Sequence, residues 1–474
     1  MSKQKVSLAS AITLPSAIAL IVSSIIGSGI YKKVAPMSAE LQSPMWVLAC
    51  WILGGLISLA GALSNAEIAG MMAGTGGEYR YYRKIYGKFF AFLFGWSIFS
   101  VIKTAAIASI AYVCSQSFNS LVPLPEITGA WTHFSLFGVI YPFENLSVKL
   151  LTVAIITALT WINGRGVKFG ADISKVIIYT VVAGVASIIV FGLTSSQAHF
   201  SNLSQDATGY VTPTFSALLK GVFTAMLAAF WGYEGWNSVG NIGSEIQNPN
   251  KNLPKVLFWG LMIVIAIYTL TNLTYMVLLP VNQLINIAHT PNAIAAVEAM
   301  RSFWGQGGVV FISILIIITT LGCTHTTILL NARNHLAMAQ EGLFFKVAAQ
   351  IHPVYKTPNN SLWLQCFWTC LLVFSGSFDQ LTDMLIFAAF LFYGCTTLGV
   401  FILRKRMPNA PRPYKVWGYP FVPIIFILFC IGLIINTVQS RPREALLGIG
   451  LILTGLPFYW YWNKTAKNVA DDED

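Results

Sequence analysis

The chain has 474 residues, of which 55% are hydrophobic and 10% are charged, and its formal net charge is +11. Soluble domains carry about 25% charged residues, so this composition, with a mean hydropathy of +0.66, excludes a soluble globular class and indicates an integral membrane protein. The positive charge lies in short loops between apolar runs, which is typical of membrane topology and excludes a nucleic-acid-binding role.

The apolar runs predict an all-α fold of twelve transmembrane helices. In chain order the predicted spans cover residues 12–31, 45–72, 89–120, 147–163, 171–194, 216–243, 255–280, 307–338, 361–376, 379–403, 419–438 and 443–462. Most Lys and Arg residues lie in loops that share a side with the termini; those on the other side are Lys32, Lys33, Lys149, Lys220, Arg301, Arg441 and Arg443. The positive-inside rule therefore predicts a multi-pass cell-membrane protein with both termini in the cytoplasm.

The first span contains an interruption, the sequence Ser-Ser-Ile-Ile-Gly-Ser-Gly-Ile-Tyr at residues 23–31. A second interruption, Phe-Trp-Gly-Tyr-Glu-Gly-Trp-Asn, lies in the sixth span at residues 230–237. Unwound backbone at membrane depth is tolerated only where it is buried in protein or lines a cavity. Broken helices in corresponding positions of two halves predict the binding site of a secondary transporter.

The spacing of the two interruptions predicts an inverted repeat. The sixth span comes five spans after the first, and because five is odd, the second half enters the membrane with the opposite orientation. We therefore predict one transporter domain, residues 1–474, with a LeuT-type 5+5 core and discontinuous helices 1 and 6. Its parts are residues 1–205 (spans one to five), 206–406 (spans six to ten), 407–463 (spans eleven and twelve) and 464–474 (a cytoplasmic acidic tail).

Several ionisable residues fall inside predicted spans, where charge is expensive and is often functional. Lys103 lies near the middle of span three, where its charge requires a partner or a water-filled cavity. The sequence does not identify that partner. Glu234 lies in the second interruption, either as a proton site or counter-ion for a cationic side chain, or as a carboxylate bonded to backbone N–H groups that the break leaves free. His325 in span eight either shuttles protons or packs as a hydrogen-bonded histidine.

The sequence contains no set of residues that predicts an enzyme, a metal site or a cofactor. Cys366 and Cys370 lie one helical turn apart, but no His or carboxylate accompanies them, so packing is the expected role. Neither a phosphate-binding loop nor a nucleophile–base pair is present.

Four short motifs taken together resemble the amino acid/polyamine/organocation transporter superfamily. They are Ile-Gly-Ser-Gly-Ile at 26–30, Gly-Gly-Glu-Tyr at 76–79, Tyr-Glu-Gly-Trp-Asn at 233–237 and Glu-Ile-Gln-Asn-Pro at 245–249. Residues 412–420, Arg-Pro-Tyr-Lys-Val-Trp-Gly-Tyr-Pro, resemble the L-type amino acid transporter branch and its bacterial relatives. The resemblance runs from span one to span eleven and implies sodium-independent amino acid transport, commonly by obligatory exchange.

An amino acid substrate would match the charges at the two breaks. Free N–H groups at a helix start bind a carboxylate, and free carbonyls at a helix end bind an ammonium group. We predict the carboxylate at Gly27, Ser28 and Gly29, and the ammonium group at carbonyls near Ser24, Ile25, Phe230 and Trp231. The predicted substrate-binding set is completed by Gly232, Tyr233 and Glu234. The alternative is that the glycines form a seam for close helix packing.

The resemblance also implies roles for single residues. Trp231 falls where the family has an aromatic gate over the substrate, although a tryptophan in a span also serves in core packing, and Tyr233 would add a hydroxyl contact. Lys175 falls where sodium-coupled relatives hold a cation, and its alternative is a lysine that reaches the cytoplasmic interface. Eukaryotic relatives bind a glycoprotein through a cysteine just before a Pro-x-Pro-Glu sequence, but residues 122–126 read Val-Pro-Leu-Pro-Glu and the predicted external loops lack cysteine.

These observations predict an exchanger of neutral L-amino acids that works by alternating access, without sodium. Its partners would be the amino acid and the lipid bilayer, with no disulfide-linked heavy chain, and it would be a monomer or a weak homodimer. Two alternatives stay open: a proton-coupled symporter that uses Glu234 or Lys175, and a sensor that binds amino acids without transporting them.

Overall fold

The computed structural model describes residues 13–72, 77–125, 129, 134–136, 140–165, 170–237, 246–355 and 357–471. Regular structure in these ranges is helical, apart from one antiparallel bridge between Leu136 and Ile140. The helices of the first half are α1 (Leu14–Ile25), α2 (Gly29–Lys32), α3 (Val34–Leu41), α4 (Pro44–Met71), α5 (Gly77–Tyr86), α6 (Lys88–Ser97), α7 (Lys103–Leu121), α8 (Leu146–Gly164) and α9 (Gly170–Leu193). Those of the second half are α10 (Phe215–Tyr233), α11 (Pro249–Leu278), α12 (Val281–His289), α13 (Ala295–Gln340), α14 (Asn359–Ser375), α15 (Phe378–Arg406), α16 (Phe421–Ser440), α17 (Pro442–Leu453) and α18 (Gly455–Asp471).

Within the described residues, nine helical segments are long and apolar enough to cross a membrane. They are α4, Lys88–Leu121, α8, α10, Lys251–Leu278, α13, α15, α16 and Pro442–Lys464. Three predicted spans are not among them. The first predicted span is split between α1 and α2. The fifth corresponds to α9, in which the apolar segment Tyr179–Leu193 is shorter than a full span. The ninth corresponds to α14, which has 17 residues. The chain is therefore a multi-pass membrane protein whose described spans are all helical, and the count of twelve and the inverted repeat stay predictions.

The sequence analysis did not predict helix α5, which lies between the second and third spans. Tyr81, Tyr82 and Ile85 are buried on one of its faces, while Arg83 and Lys84 are exposed. This arrangement gives an amphipathic helix, and it explains why a basic run with few apolar residues is nevertheless ordered.

The 412–420 motif folds back onto helix α4. The buried carboxylate of Glu67 in α4 accepts two hydrogen bonds from Arg404, at 2.9 and 2.6 Å. The backbone N–H of Val416 donates to the same carboxylate at 2.8 Å, and the Arg412 guanidinium lies 3.4 Å away. Charge-assisted bonds of this kind are strong, so the motif fixes the segment after α15 against the second span.

Candidate functional site at two broken helices

The first span is broken between α1 and α2. The N–H of Ile26 donates to the Val22 carbonyl at 2.9 Å. Ile26 itself has an extended conformation, with φ −70° and ψ 99°, and α2 begins at Gly29. Lys33 links α2 to α3 in a right-handed helical conformation, with φ −72° and ψ −14°. Residues 29–41 therefore act as one helical segment whose N-terminus lies at the break.

The sixth predicted span is broken after Tyr233. Glu234 has an extended conformation, with φ −61° and ψ 140°, and Gly235 has φ 119°. This positive φ is readily adopted only by glycine. The Ser24 hydroxyl lies 3.4 Å from the Gly235 carbonyl, so the two breaks are neighbours.

The backbones of the two broken helices are in direct contact. A Cβ atom on Gly29 would lie 2.6 Å from the Cα atom of Gly232, and one on Gly235 would lie 2.4 Å from the Ser24 carbonyl oxygen. The glycine at 29 therefore serves helix packing, as the packing alternative requires. At Gly27 the nearest atom to such a Cβ is the Cys323 sulfur at 3.8 Å, which leaves this glycine facing less crowded space.

A tyrosine from helix α11 joins the two breaks. The Tyr268 hydroxyl lies 2.9 Å from the Ile25 carbonyl and 2.8 Å from the Gly232 carbonyl. Its single O–H donates to one of these carbonyls at a time, and both belong to helix ends whose last carbonyls lack a partner within their own helix. No pattern in the apolar seventh span distinguished this residue in the sequence.

Trp231 lies across the first break. Its indole Nε1–H donates to the Ser28 hydroxyl at 3.3 Å, and both side chains are buried. The predicted aromatic gate and the predicted carboxylate-binding serine are therefore in contact.

Two other predicted site residues have side chains that point elsewhere. The Phe230 ring packs against Phe390, with ring centroids 4.3 Å apart. The Tyr233 hydroxyl donates to the Trp51 carbonyl at 2.8 Å instead of facing the break. At these two positions the backbone, and not the side chain, is the group near the site.

Glu234 and Lys103, which the sequence analysis treated separately, form an ion pair. The Lys103 Nζ atom lies 3.0 Å from Glu234 Oε1, and the Tyr393 hydroxyl lies 3.0 Å from both carboxylate oxygens. The side chains of Lys103 and Glu234 are 17% and 9% exposed. This pairing is the partner that Lys103 requires at that depth, and it neutralises both charges.

A π-helical turn sets the position of Lys103. Residues Ile98–Ile102 form this turn between α6 and α7, and the Thr104 hydroxyl donates to the Phe99 carbonyl at 2.7 Å. Such turns widen a helix and are frequent at functional sites. The predicted third span, residues 89–120, matches the helical segment Lys88–Leu121, but the sequence did not indicate the π-helical turn within it.

The ion pair continues into a network of polar side chains. Asn237 Nδ2 donates to the Tyr393 hydroxyl at 3.0 Å and lies 3.3 Å from Glu78 Oε2. Asn65 Nδ2 donates to Glu78 Oε1 at 3.2 Å. A small pocket beside this network is lined by both asparagines, Trp236 and Leu253, among others. Glu78 and Asn237 belong to the motifs on which the family resemblance rests, and the structure connects them.

Glu78 is predicted to make stability depend on pH. Its burial raises the pKa of Glu78 from 4.5 to about 7, with Lys103 opposing and Glu234 reinforcing the shift. The folded protein therefore holds a proton that the unfolded chain has released, and stability falls as the pH rises through this range. Glu78→Gln should stabilise the protein by up to about 3 kcal/mol at pH 8.

Thermal unfolding of the wild type and of Glu78→Gln at pH 5 and pH 8 checks this expectation. The two proteins should unfold together at pH 5, where the carboxyl of the wild type is neutral. An equal gap at both pH values would contradict it.

The remaining predicted residues lie as follows. Lys175 belongs to helix α9, but its side chain lies outside the part of the chain that the structure describes. His325 is half-buried in α13, and its backbone carbonyl accepts from Asn163 Nδ2 at 3.2 Å. The described residues hold no group of three His, Cys, Asp or Glu side chains that would bind a metal ion.

Comparisons with known proteins agree with these features. The sequence profile of the family described as "Amino acid permease" matches residues 12–456. The serine/threonine exchanger SteT of Bacillus subtilis is 30% identical over 450 residues, which cover 94% of this chain and 95% of that protein. The b(0,+)-type amino acid transporter 1 of Mus musculus is 30% identical over 96% of this chain and 88% of its own length.

A third relative is the large neutral amino acids transporter small subunit 2 of Homo sapiens, 28% identical over 98% of this chain and 83% of its own length. These proteins are transporters and not enzymes, and each match covers nearly the whole of this chain. From the family match and this coverage, the chain belongs to the amino acid permease family of the amino acid/polyamine/organocation superfamily.

Proposed function

We propose that the chain exchanges neutral L-amino acids across the cell membrane by alternating access, without sodium and with both termini in the cytoplasm. The observation that supports this most is the direct contact of the two broken helices, at Gly29 and Gly232. It brings ends of opposite polarity together: the N-terminus of residues 29–41 and the C-termini of α1 and α10. An amino acid carries an anion and a cation in fixed relation, so one zwitterion would satisfy both.

The charge balance at the site supports neutral side chains as substrates. Lys103 and Glu234 neutralise each other at 3.0 Å, so the pair presents no net charge to a bound side chain. A charged substrate would have to compete with this pair or lie in a partly desolvated site without a partner. A small apolar or hydroxyl side chain carries no such penalty.

Exchange and sodium independence rest on the relatives and on Lys175. One relative is described as a serine/threonine exchanger, which favours exchange and small substrates. An ammonium group at Lys175 would bond backbone carbonyls in place of a sodium ion. The absence of a disulfide-linked heavy chain is also part of the proposal, because the segment 122–126 has no cysteine.

One observation favours the proton-coupled alternative. Glu78 has a pKa raised to about 7 by burial and is connected to Glu234 through Asn237 and Tyr393. A carboxyl group that titrates near neutral pH beside the site would be suited to carry a proton. In that case Glu78, rather than Lys175, would be the first residue to test.

Efflux of radiolabelled alanine from proteoliposomes that contain the purified chain alone tests these proposals. We expect efflux in sodium-free buffer only when an external neutral amino acid is present, and none from protein-free liposomes. Efflux into amino-acid-free buffer that a proton gradient accelerates would favour proton coupling. Saturable binding with no flux in any condition would overturn transport and leave a sensor.

A further inference from the structure

Two buried lysines directly follow the first break. Lys32 ends helix α2 and Lys33 comes next, and both residues are buried. An ammonium group inside a membrane protein carries a large desolvation penalty unless it is paired, so such a residue marks a structural or functional contact. Neither lysine belongs to the predicted substrate-binding set.

Lys33 joins the first broken helix to the start of helix α15. Its Nζ atom lies 2.6 Å from Asp379 Oδ1 and 2.6 Å from the Thr382 hydroxyl, and Asp383 lies 3.9 Å away. The Lys33 side chain is 1% exposed, whereas that of Asp379 is 42% exposed. Asp379 lies in the first turn of α15, where the helix dipole also stabilises a carboxylate.

Lys32 makes a different contact. Its ammonium group donates to the amide oxygen of Gln116 in α7 at 2.7 Å. Within the described residues, Lys32 forms no salt bridge with a carboxylate. The two neighbouring lysines thus differ in one respect that matters: only Lys33 pairs with an acid on α15 in this part of the chain.

The ring of Phe378 connects Lys33 to the substrate site. The Lys32 and Lys33 ammonium groups lie 4.8 and 4.7 Å from the centroid of this ring. The same ring packs edge-on against Trp231, with centroids 6.1 Å apart, and Trp231 in turn donates to Ser28. The ion pair is therefore one aromatic layer away from the indole that covers the first break.

We infer that Lys33, Asp379 and Phe378 form the outer gate of the transport path, which opens only when the Lys33–Asp379 pair separates. The inference rests on the proposed function, and its outward sense rests on the predicted topology, which puts Lys33 on the side away from the termini. When the pair is formed, residues 29–41 are held against α15 and Trp231 is held over Ser28. Separating the pair would let this segment move away and would admit solvent to the site.

A native cysteine can report whether the site is open. The Cys323 sulfur lies 3.8 Å from the position of a Cβ atom on Gly27, so a reagent that modifies it must have entered the site. We would measure the rate at which a membrane-impermeant sulfonated maleimide, added outside intact cells, modifies Cys323. A Cys323→Ser protein gives the background from the other six cysteines.

Lys33→Met should raise this rate by about tenfold or more, because a closed state that loses the ion pair of the buried Lys33 loses its population advantage. Asp379→Asn should raise the rate by less, because Asp383, 3.9 Å from the Lys33 Nζ atom, still faces the ammonium group. Lys32→Met is the matched control and should leave the rate near that of the wild type. Because the pair is broken from either end, a folding defect in one variant does not decide the result.

Labelling of Lys33→Met and Asp379→Asn at the wild-type rate, in proteins that still exchange alanine, would overturn the gate. An equal increase in Lys32→Met would also overturn it, because the effect would then belong to any charge over Phe378. If both variants are labelled fast but the wild-type protein binds amino acids without exchanging them, the proposed transport function is wrong. The proposal that the ion pair closes the site would still stand. The two failures are therefore distinguishable.

Discussion

Glu234→Gln should lower the free energy of unfolding by about 3 kcal/mol and should abolish most alanine exchange. Removing one member of a buried ion pair leaves the other charge uncompensated, and such changes cost about 3–5 kcal/mol. We expect the lower value because the Lys103 side chain retains 17% exposure. The Tyr393 hydroxyl, which lies within hydrogen-bond distance of both carboxylate oxygens, would also lose one of these two acceptor atoms.

A double variant identifies the ion pair as the cause. Lys103→Met combined with Glu234→Gln removes both charges, so its stability should return to within about 1 kcal/mol of the wild type. The exposed pair of Arg83 and Glu341, at 2.6 Å with 51% and 38% exposure, provides a matched control. There Glu341→Gln should cost less than about 1 kcal/mol. The stabilities of the wild type, Glu234→Gln, the double variant and Glu341→Gln would be measured by thermal unfolding in detergent. A double variant that is no more stable than Glu234→Gln would refute the explanation.

Substrate selectivity separates the two roles proposed for Glu234. In the described residues its carboxylate bonds Lys103 and Tyr393, and no backbone N–H is found as its partner. If the carboxylate sets selectivity, Glu234→Gln should leave Lys103 unpaired and should favour acidic over neutral amino acids in competition assays. Unchanged selectivity and pH dependence in this variant would leave a structural role.

Gly29→Ala should abolish exchange and destabilise the fold by about 2 kcal/mol or more, the upper part of the range for overpacking. The added methyl group would lie 2.6 Å from the Gly232 Cα atom. Because that atom is backbone, no side-chain rotation relieves the contact, and the two broken helices must separate. Melting temperature and alanine exchange would both fall.

Gly27→Ala is the matched test in the same motif. The methyl group there would meet no atom closer than the Cys323 sulfur at 3.8 Å, so stability should stay near that of the wild type. If the substrate carboxylate binds at Gly27, alanine affinity should nevertheless fall in this well-folded protein. The expectation for Gly29 would be wrong if the Gly29→Ala protein were as stable as the wild type, because the two broken helices would then separate without a cost in stability.

The two breaks were predictable because their cause is local. Glycine and serine inside an apolar run weaken a helix whatever surrounds it, and α1 ends at Ile25 while α10 ends at Tyr233, both within the predicted interruptions. The roles of single side chains were less accessible. The Tyr233 hydroxyl was predicted to contact the substrate, but it bonds the Trp51 carbonyl in another helix, which no local pattern indicates.

The sequence by itself determined the membrane class, the family and the two broken spans, because composition, hydrophobic run length and short motifs are properties of neighbouring residues. Only the tertiary structure decided that Lys103 pairs with Glu234, that Tyr268 joins both breaks and that Lys33 reaches Asp379. Lys103 and Glu234 are 131 positions apart, and Lys33 and Asp379 are 346 apart. Tyr268 is 36 positions from Gly232 and 243 from Ile25. The reason is physical: a buried charge or carbonyl requires a partner, but the packing of distant helices determines which residue supplies it.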